Sequence, residues 1–137
     1  MPPLVPMQLA IAELTEQHLT LTAPLAANIN DKGTAFGGSL TSLMTLACWG
    51  LVTAVLRDHG LDCDVYVAES TVKYLKPVRE DLAATATFTD DSNIAACIEQ
   101  LKAKGKAKLW LHAQVVLLDG TVAATMHGKY AAFVRST

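Results

Sequence analysis

Hydrophobic positions along this chain follow two rhythms, one of period two and one almost continuous. From Leu19 to Ala27 the residues alternate, with Leu19, Leu21, Ala23, Leu25 and Ala27 on one face and Thr20, Thr22, Pro24 and Ala26 on the other. That alternation predicts a strand, and Pro24 makes it an edge or interrupted one, because proline lacks the N–H a ladder needs. Asp64 to Leu75 is rich in β-branched and aromatic residues and stops at Lys76-Pro77. Leu82 to Phe88 alternates again, and so does Ala107 to Leu118. Asp119-Gly120 is a tight-hairpin signal, so Thr121 to Val134 returns as the partner strand.

Between about Gly37 and His59 the rhythm changes. Leu40, Leu43, Met44, Leu46, Ala47, Trp49, Leu51, Val52, Val55 and Leu56 leave almost no polar face. A helix apolar nearly all round must be covered on most sides. Arg57 in its last turn and Gly60 beyond it suit a dipole-matched end with a glycine cap. Ile94, Ala95, Cys97, Ile98 and Leu101 predict a second, amphipathic helix, capped by Asp91 or Ser92 and ended by Gly105. Residues 5–16 suggest a short N-terminal helix. Five strands and these helices predict an α+β fold, an antiparallel β-sheet wrapped around a long central helix.

Composition narrows the class. The chain has 137 residues, enough for a single domain spanning 1–137, and no repeat or linker divides it. Hydrophobic residues make up 51% and charged residues 18%, so some apolar surface is expected to meet a second copy, as a homodimer or a dimer of dimers. A formal net charge of −2 recommends no nucleic-acid partner. Cys48, Cys63 and Cys97 are odd in number and lack CxxC spacing, which reads as free thiols in a reducing cytoplasm. His18, His59, His112 and His127 show no metal-ligand spacing, so no metal is expected. The N-terminal stretch lacks a basic n-region, against a signal peptide. Leu40 to Leu56 imitates a membrane span but is interrupted by hydroxyls and falls short of the ~20 residues a bilayer needs. No membrane partner is expected.

The chemistry concentrates in Asn30-Asp31-Lys32-Gly33-Thr34-Ala35-Phe36-Gly37-Gly38-Ser39-Leu40. Two adjacent glycines at a helix start leave backbone N–H groups uncovered at the positive end of the helix dipole. Such donors can receive a carbonyl oxygen that is becoming negative, which suits chemistry on an acyl group. The same glycines can instead serve only close packing of the helix start.

Asn28-Ile29-Asn30, the glycine segment Gly33 to Leu40 and Trp49-Gly50, with Tyr74-Leu75-Lys76-Pro77-Val78 and Gly128-Lys129-Tyr130, resemble the YiiD C-terminal thioesterase-like family of the hotdog fold. The resemblance covers roughly residues 15 to 135. It extends more distantly to the PaaI-like acyl-CoA thioesterases. On their pattern Asn30 matches an Asn and Gly37 and Gly38 match the glycines. Phe36 stands at a His position and Thr45 at the position of the Asp that activates water or attacks the thioester. The resemblance implies catalytic roles for Asn30, Gly37, Gly38 and Thr45, and substrate contacts from Phe36, Ser39 and Tyr74. It calls for no cofactor beyond the coenzyme A or acyl carrier protein attached to the substrate.

Thr45 lacks the basicity of an acid, so a base is missing from that pattern. Glu69, interrupting Val65-Tyr66-Val67-Ala68, is expected either to act as that base, from its own or from the opposite subunit, with a pKa raised by burial, or to pair structurally with Lys73 or another cation. Asn30 is either a turn former or a water-positioning amide, and Thr45 and Ser39 are either backbone-bonded hydroxyls or aids to that water. Lys102, Lys104, Lys106 and Lys108 either meet phosphates or form a solvated edge. Trp49 and Trp110 are expected in a core or an interface. The leading expectation is hydrolysis of an acyl thioester. A non-catalytic acyl-thioester binding module comes next, and a hotdog 3-hydroxyacyl thioester dehydratase last, since Phe36 replaces the histidine it would use.

Overall fold

A computed structural model describes residues 1–89 and 92–135. Its order is β1 (Ala10–Leu14), β2 (His18–Ala23), α1 (Gly37–Asp58), β3 (Cys63–Tyr74), β4 (Leu82–Phe88), α2 (Ile94–Lys104), β5 (Lys106–Val116) and β6 (Val122–Val134). Short 3-10 helices precede β1 at Pro2–Met7 and follow β2 at Leu25–Ala27. All six strands join one antiparallel sheet in the order β1-β2-β4-β5-β6-β3. The sheet curls around α1, which touches every strand from β2 to β6.

The core is the layer between that sheet and α1. Leu43, Met44, Ala47, Cys48, Leu51, Val52 and Leu56 face Leu19, Leu21, Leu82, Leu109, Leu111 and Tyr130 across it. The helix is long and apolar enough to cross a membrane, but more than half of its most apolar window is buried here. One stripe of it is only half-covered: Thr41, Ser42, Thr45, Leu46, Trp49 and Gly50. The expectation of cover on most sides therefore needs correcting. A sheet wraps one side of a helix, and a single chain has nothing else of that size to lay on the other.

Three boundaries differ from the expected ones. The predicted N-terminal helix is instead a 3-10 turn and a strand. Pro2, Pro3 and Pro6 supply no N–H for α-helical bonds, and Gln8 turns the chain in a left-handed conformation. Ala10 to Leu14 then pairs with β2, so six strands stand where five were expected. The second strand ends at Ala23, ahead of Pro24.

The second helix is capped by Asn93, whose side chain accepts from the Ala96 N–H at 3.1 Å. Asp91 lies outside the described residues, and the Ser92 hydroxyl bonds the Trp110 backbone instead. Gly60 and Gly105 follow α1 and α2 with positive φ, as their glycine signals predicted.

All three cysteines are free and buried. Burial pushes the Cys48 thiol up to about 12 and the Cys97 thiol up to about 11. All three pack in the hydrophobic core as small apolar side chains.

Candidate functional site

The chain enters α1 through a self-contained turn. The Asn30 Oδ1 accepts from the Lys32 and Thr34 N–H groups at 2.8 and 3.1 Å, and its Nδ2 donates to the Thr34 hydroxyl at 2.8 Å. An Ile29–Ala35 bridge closes the turn below. Asn30 is thus an Asx-turn former whose amide is engaged locally, and its water-positioning role finds no free group here.

Asn28, which motif reasoning quoted without a role, organises the approach. Its buried Nδ2 donates to the carbonyls of Met7 and Pro24 at 3.0 and 2.9 Å. Its own carbonyl accepts the Phe36 N–H at 2.7 Å, and the Ala35 N–H goes to Val78 at 2.8 Å. Those bonds hold the residue before the glycines in an extended conformation.

Phe36 then begins the helix without a side-chain cap, since a phenyl ring has no acceptor. Consequently the Gly37 and Gly38 N–H groups have no acceptor among the described residues. The Phe36 ring, 57% exposed, folds back across Gly38, where an added Cβ would clash with it. Tyr74, the last residue of β3, lies beside Gly37 with ordinary ring contacts. Its hydroxyl donates to the Gly37 carbonyl at 3.2 Å and shares a short hydrogen bond with the Thr41 hydroxyl. A cleft of about 230 Å³ reaches Gly37 between Leu40, Tyr74 and the Leu75–Val78 segment. The glycines are therefore flanked by aromatic rings yet remain reachable, Gly37 from the Tyr74 side.

The other expected residues scatter. Ser39 is buried in the first turn and lines neither this cleft nor the one at Thr45. Thr45 stands eight residues along α1, about 12 Å from Gly37 at helical rise. Its hydroxyl faces the Met126 sulfur at 3.5 Å, and its carbonyl accepts from the Tyr130 hydroxyl at 2.8 Å. Within one chain it cannot touch a group held at Gly37. Thr41, one turn from Gly37 and bonded to Tyr74, is the hydroxyl that can.

Glu69 lies elsewhere again. Tyr130 points inward to Thr45, so Lys129 points to the outer face of the sheet, and Glu69 is the ladder partner of Lys129. The Glu69 carboxylate sits 3.7 Å from the Lys129 ammonium and is 65% exposed. Within one chain this corrects the predicted burial and the predicted place beside the helix. The structural pairing is the one observed, with Lys129 in place of Lys73. Lys129 also lies over the Trp110 ring, which stacks on His127 at 4.9 Å. Trp110 thus belongs to an outer-face cluster, while half-buried Trp49 donates to the Val65 carbonyl at 3.0 Å.

Lys102, Lys104, Lys106 and Lys108 are all exposed. Lys106 pairs with Phe133 near the start of β3, at the far end of the sheet from Gly37. No cluster of three or more metal-ligating side chains occurs among the described residues.

Chemically, this site offers main-chain donors, two hydroxyls and a cleft open to solvent. Of its lining residues only Tyr74 and Lys76 titrate, and none carries a carboxylate or an imidazole. It can hold and polarise a carbonyl, and it lacks a strong base of its own.

The family described as "Putative thioesterase (yiiD_Cterm)" matches residues 2–134. A crystal structure of a protein of unknown function from Chlorobaculum tepidum is 32% identical, with a TM-score of 0.90 over 98% of this chain and 88% of that one. A "putative thioesterase" from Shewanella oneidensis is also 32% identical, with a TM-score of 0.86 over 98% and 90%. A "probable thioesterase" from Pseudomonas aeruginosa shares the fold at 21% identity, with a TM-score of 0.82 over 98% and 89%. Sheet, central helix and family match agree: the chain has the hotdog fold and belongs to the YiiD C-terminal thioesterase family.

Proposed function

We propose that this protein binds acyl thioesters, carried by coenzyme A or an acyl carrier protein, and hydrolyses them at the N-terminus of α1. The observation that carries the reading is the pair of N–H groups at Gly37 and Gly38 with no acceptor among the described residues, beside a cleft that reaches Gly37. A thioester oxygen placed there accepts a hydrogen bond that strengthens as negative charge develops. One such donor is worth about 2.7–4 kcal/mol in the transition state. In this reading the Tyr74 and Thr41 hydroxyls, which bond each other beside Gly37, hold the attacking water.

A second copy completes the arrangement in this reading. The β3 edge carries exposed Tyr66 and Val67, and its outer side has no strand partner among the described residues. Pairing two such edges would satisfy the open backbone groups. Three free thiols suit a reducing compartment such as the cytoplasm.

The lack of a carboxylate or imidazole in the cleft favours one alternative, a module that binds acyl thioesters without turnover. One substitution tests both readings. Gly37 is the first helical residue, where proline is well tolerated, and Phe36 before it already has the extended conformation proline demands. Gly37→Pro therefore deletes the donor and keeps the helix. With an acyl-CoA panel the wild type should release free thiol, and the variant should do so about 10²–10³-fold more slowly with unchanged helicity. Tight binding by calorimetry without thiol release selects the binding module. Wild-type protein that neither binds nor releases thiol rejects both.

A further inference from the structure

The half-covered stripe of α1 is graded. Thr41, Ser42 and Thr45 stand nearer Gly37, and Leu46, Trp49 and Gly50 stand beyond them. The 3-10 helix Pro2–Met7 lies across this stripe and leaves two spaces beneath it. The nearer, of about 250 Å³, is bounded by Met1, Leu4, Thr41, Ser42, Thr45 and Leu46. The farther, of about 430 Å³, runs between Leu4, Leu9, Leu19, Leu21, Leu46 and Trp49. Met1, Leu4 and Leu46 line both, so the spaces adjoin. At the polar end Thr41 is bonded to the hydroxyl of Tyr74, which also walls the cleft at Gly37.

We propose that this track is the binding site for the hydrocarbon tail of the acyl group, so that the ligand is a fatty acyl thioester. The inference rests on the acyl-thioester reading of the Gly37 site. The direction follows from polarity: hydroxyls border the end where a thioester would lie, and only apolar side chains border the end where a methyl terminus would lie. A polar or charged occupant of the far space would lose its hydration without a partner.

The scale fits as well. The farther space, of about 430 Å³, falls by itself within the range usual for small-ligand sites, and the nearer one extends it. At 1.5 Å per residue Leu46 is about 14 Å and Gly50 about 20 Å beyond Gly37, the reach of roughly ten to sixteen carbons. Asn28 couples the track to the chemistry, because one residue holds the end of the roof at Met7 and the Phe36 N–H ahead of the glycines.

The test uses the full chain and reads tail binding separately from hydrolysis. Saturated fatty acids of four to sixteen carbons displace a fluorescent fatty acid, and the matching acyl-CoAs are assayed for thiol release. Two variants are compared, Leu46→Trp, which fills the join between the spaces, and Val5→Asp, which charges the roof. Val5 is 74% exposed, so the second variant folds even if the first does not.

Affinity of the wild type should rise with chain length beyond about ten carbons. Each folded variant should lower the ratio of sixteen-carbon to four-carbon affinity at least tenfold. Chain-length-dependent fatty acid binding without thiol release keeps the track and rejects hydrolysis. Thiol release with a flat chain-length profile keeps hydrolysis and overturns the track. Variants that weaken all chain lengths alike overturn it too. So does a Val5→Asp variant that splits a wild-type dimer without changing the ratio, since the groove then holds a second copy.

Discussion

The hydroxyl of Tyr74 donates to the carbonyl of Gly37, joining the last residue of a twelve-residue strand to the first residue of the central helix. The bond fixes the aromatic wall of the cleft beside the Gly37 and Gly38 N–H groups, which have no acceptor among the described residues. Tyr74→Phe keeps the ring and removes the bonds to Gly37 and Thr41. A hydrogen bond of this kind is worth about 1 kcal/mol. Steady-state kinetics on an acyl-CoA should therefore show kcat lower by about fivefold with KM little changed, while the melting temperature moves by only a few degrees.

Gly38 lies under the Phe36 ring, into which an added methyl would run. Gly38→Ala should force that exposed ring off the helix and lower stability by about 1 kcal/mol in thermal or urea melts. Removing the obstacle should remove the cost. The double variant Phe36→Ala with Gly38→Ala should melt no lower than Phe36→Ala alone.

Because Glu69 pairs with Lys129 on the outer face, Glu69→Ala should leave thiol release within about twofold of wild type. An exposed ion pair is worth about 0–1 kcal/mol, so stability should change as little. A loss of activity by two orders of magnitude would return this carboxylate to the reaction.

His112 and His127 are ladder partners on β5 and β6. Burial, and then the charge of His127, hold the His112 imidazole below its usual 6.5. Thr87, also its ladder partner, and Gln114 and Thr85 nearby carry no charge, so no acid on these strands offsets that shift. Between the lowered native value and 6.5 the unfolded chain binds the extra proton, so stability is full above about pH 6.5 and falls as the solution is acidified. Melting temperatures of wild type and His112→Gln should show this difference in slope. The variant should lose less stability from pH 7 to 5.

Much of the fold was legible where pattern and packing coincide. Leu82 to Phe88 alternates and is β4, and the unbroken apolar run from Gly37 is α1. β1 was hidden because Ala10, Ile11, Ala12, Glu13 and Leu14 are good helix formers by propensity. Only pairing with the backbone edge of β2, across the short turn at Thr15 to Gln17, makes them a strand.

The site was legible at its glycines and misleading around them. Asn30 carries a motif letter but spends its amide inside its own turn. Thr41 and Asn28 matter through bonds to Tyr74, Met7 and Phe36, which no local spacing reveals. Glu69 was misplaced for a countable reason. Alternation from buried Val65 through Val67 would aim Glu69 at the helix, but the ladder slips between Val67 and Glu69, and Ala68 is the extra residue.

That slip has a wider meaning for comparing homologues. Whether the acid of this strand meets solvent or the acyl site depends on one amino acid of chain length, with the letter itself unchanged. A homologue missing the residue equivalent to Ala68 would display an aligned glutamate turned toward the helix, and so possess a carboxylate where this chain has none. Columns of identical letters across such a pair would equate a surface ornament with a base.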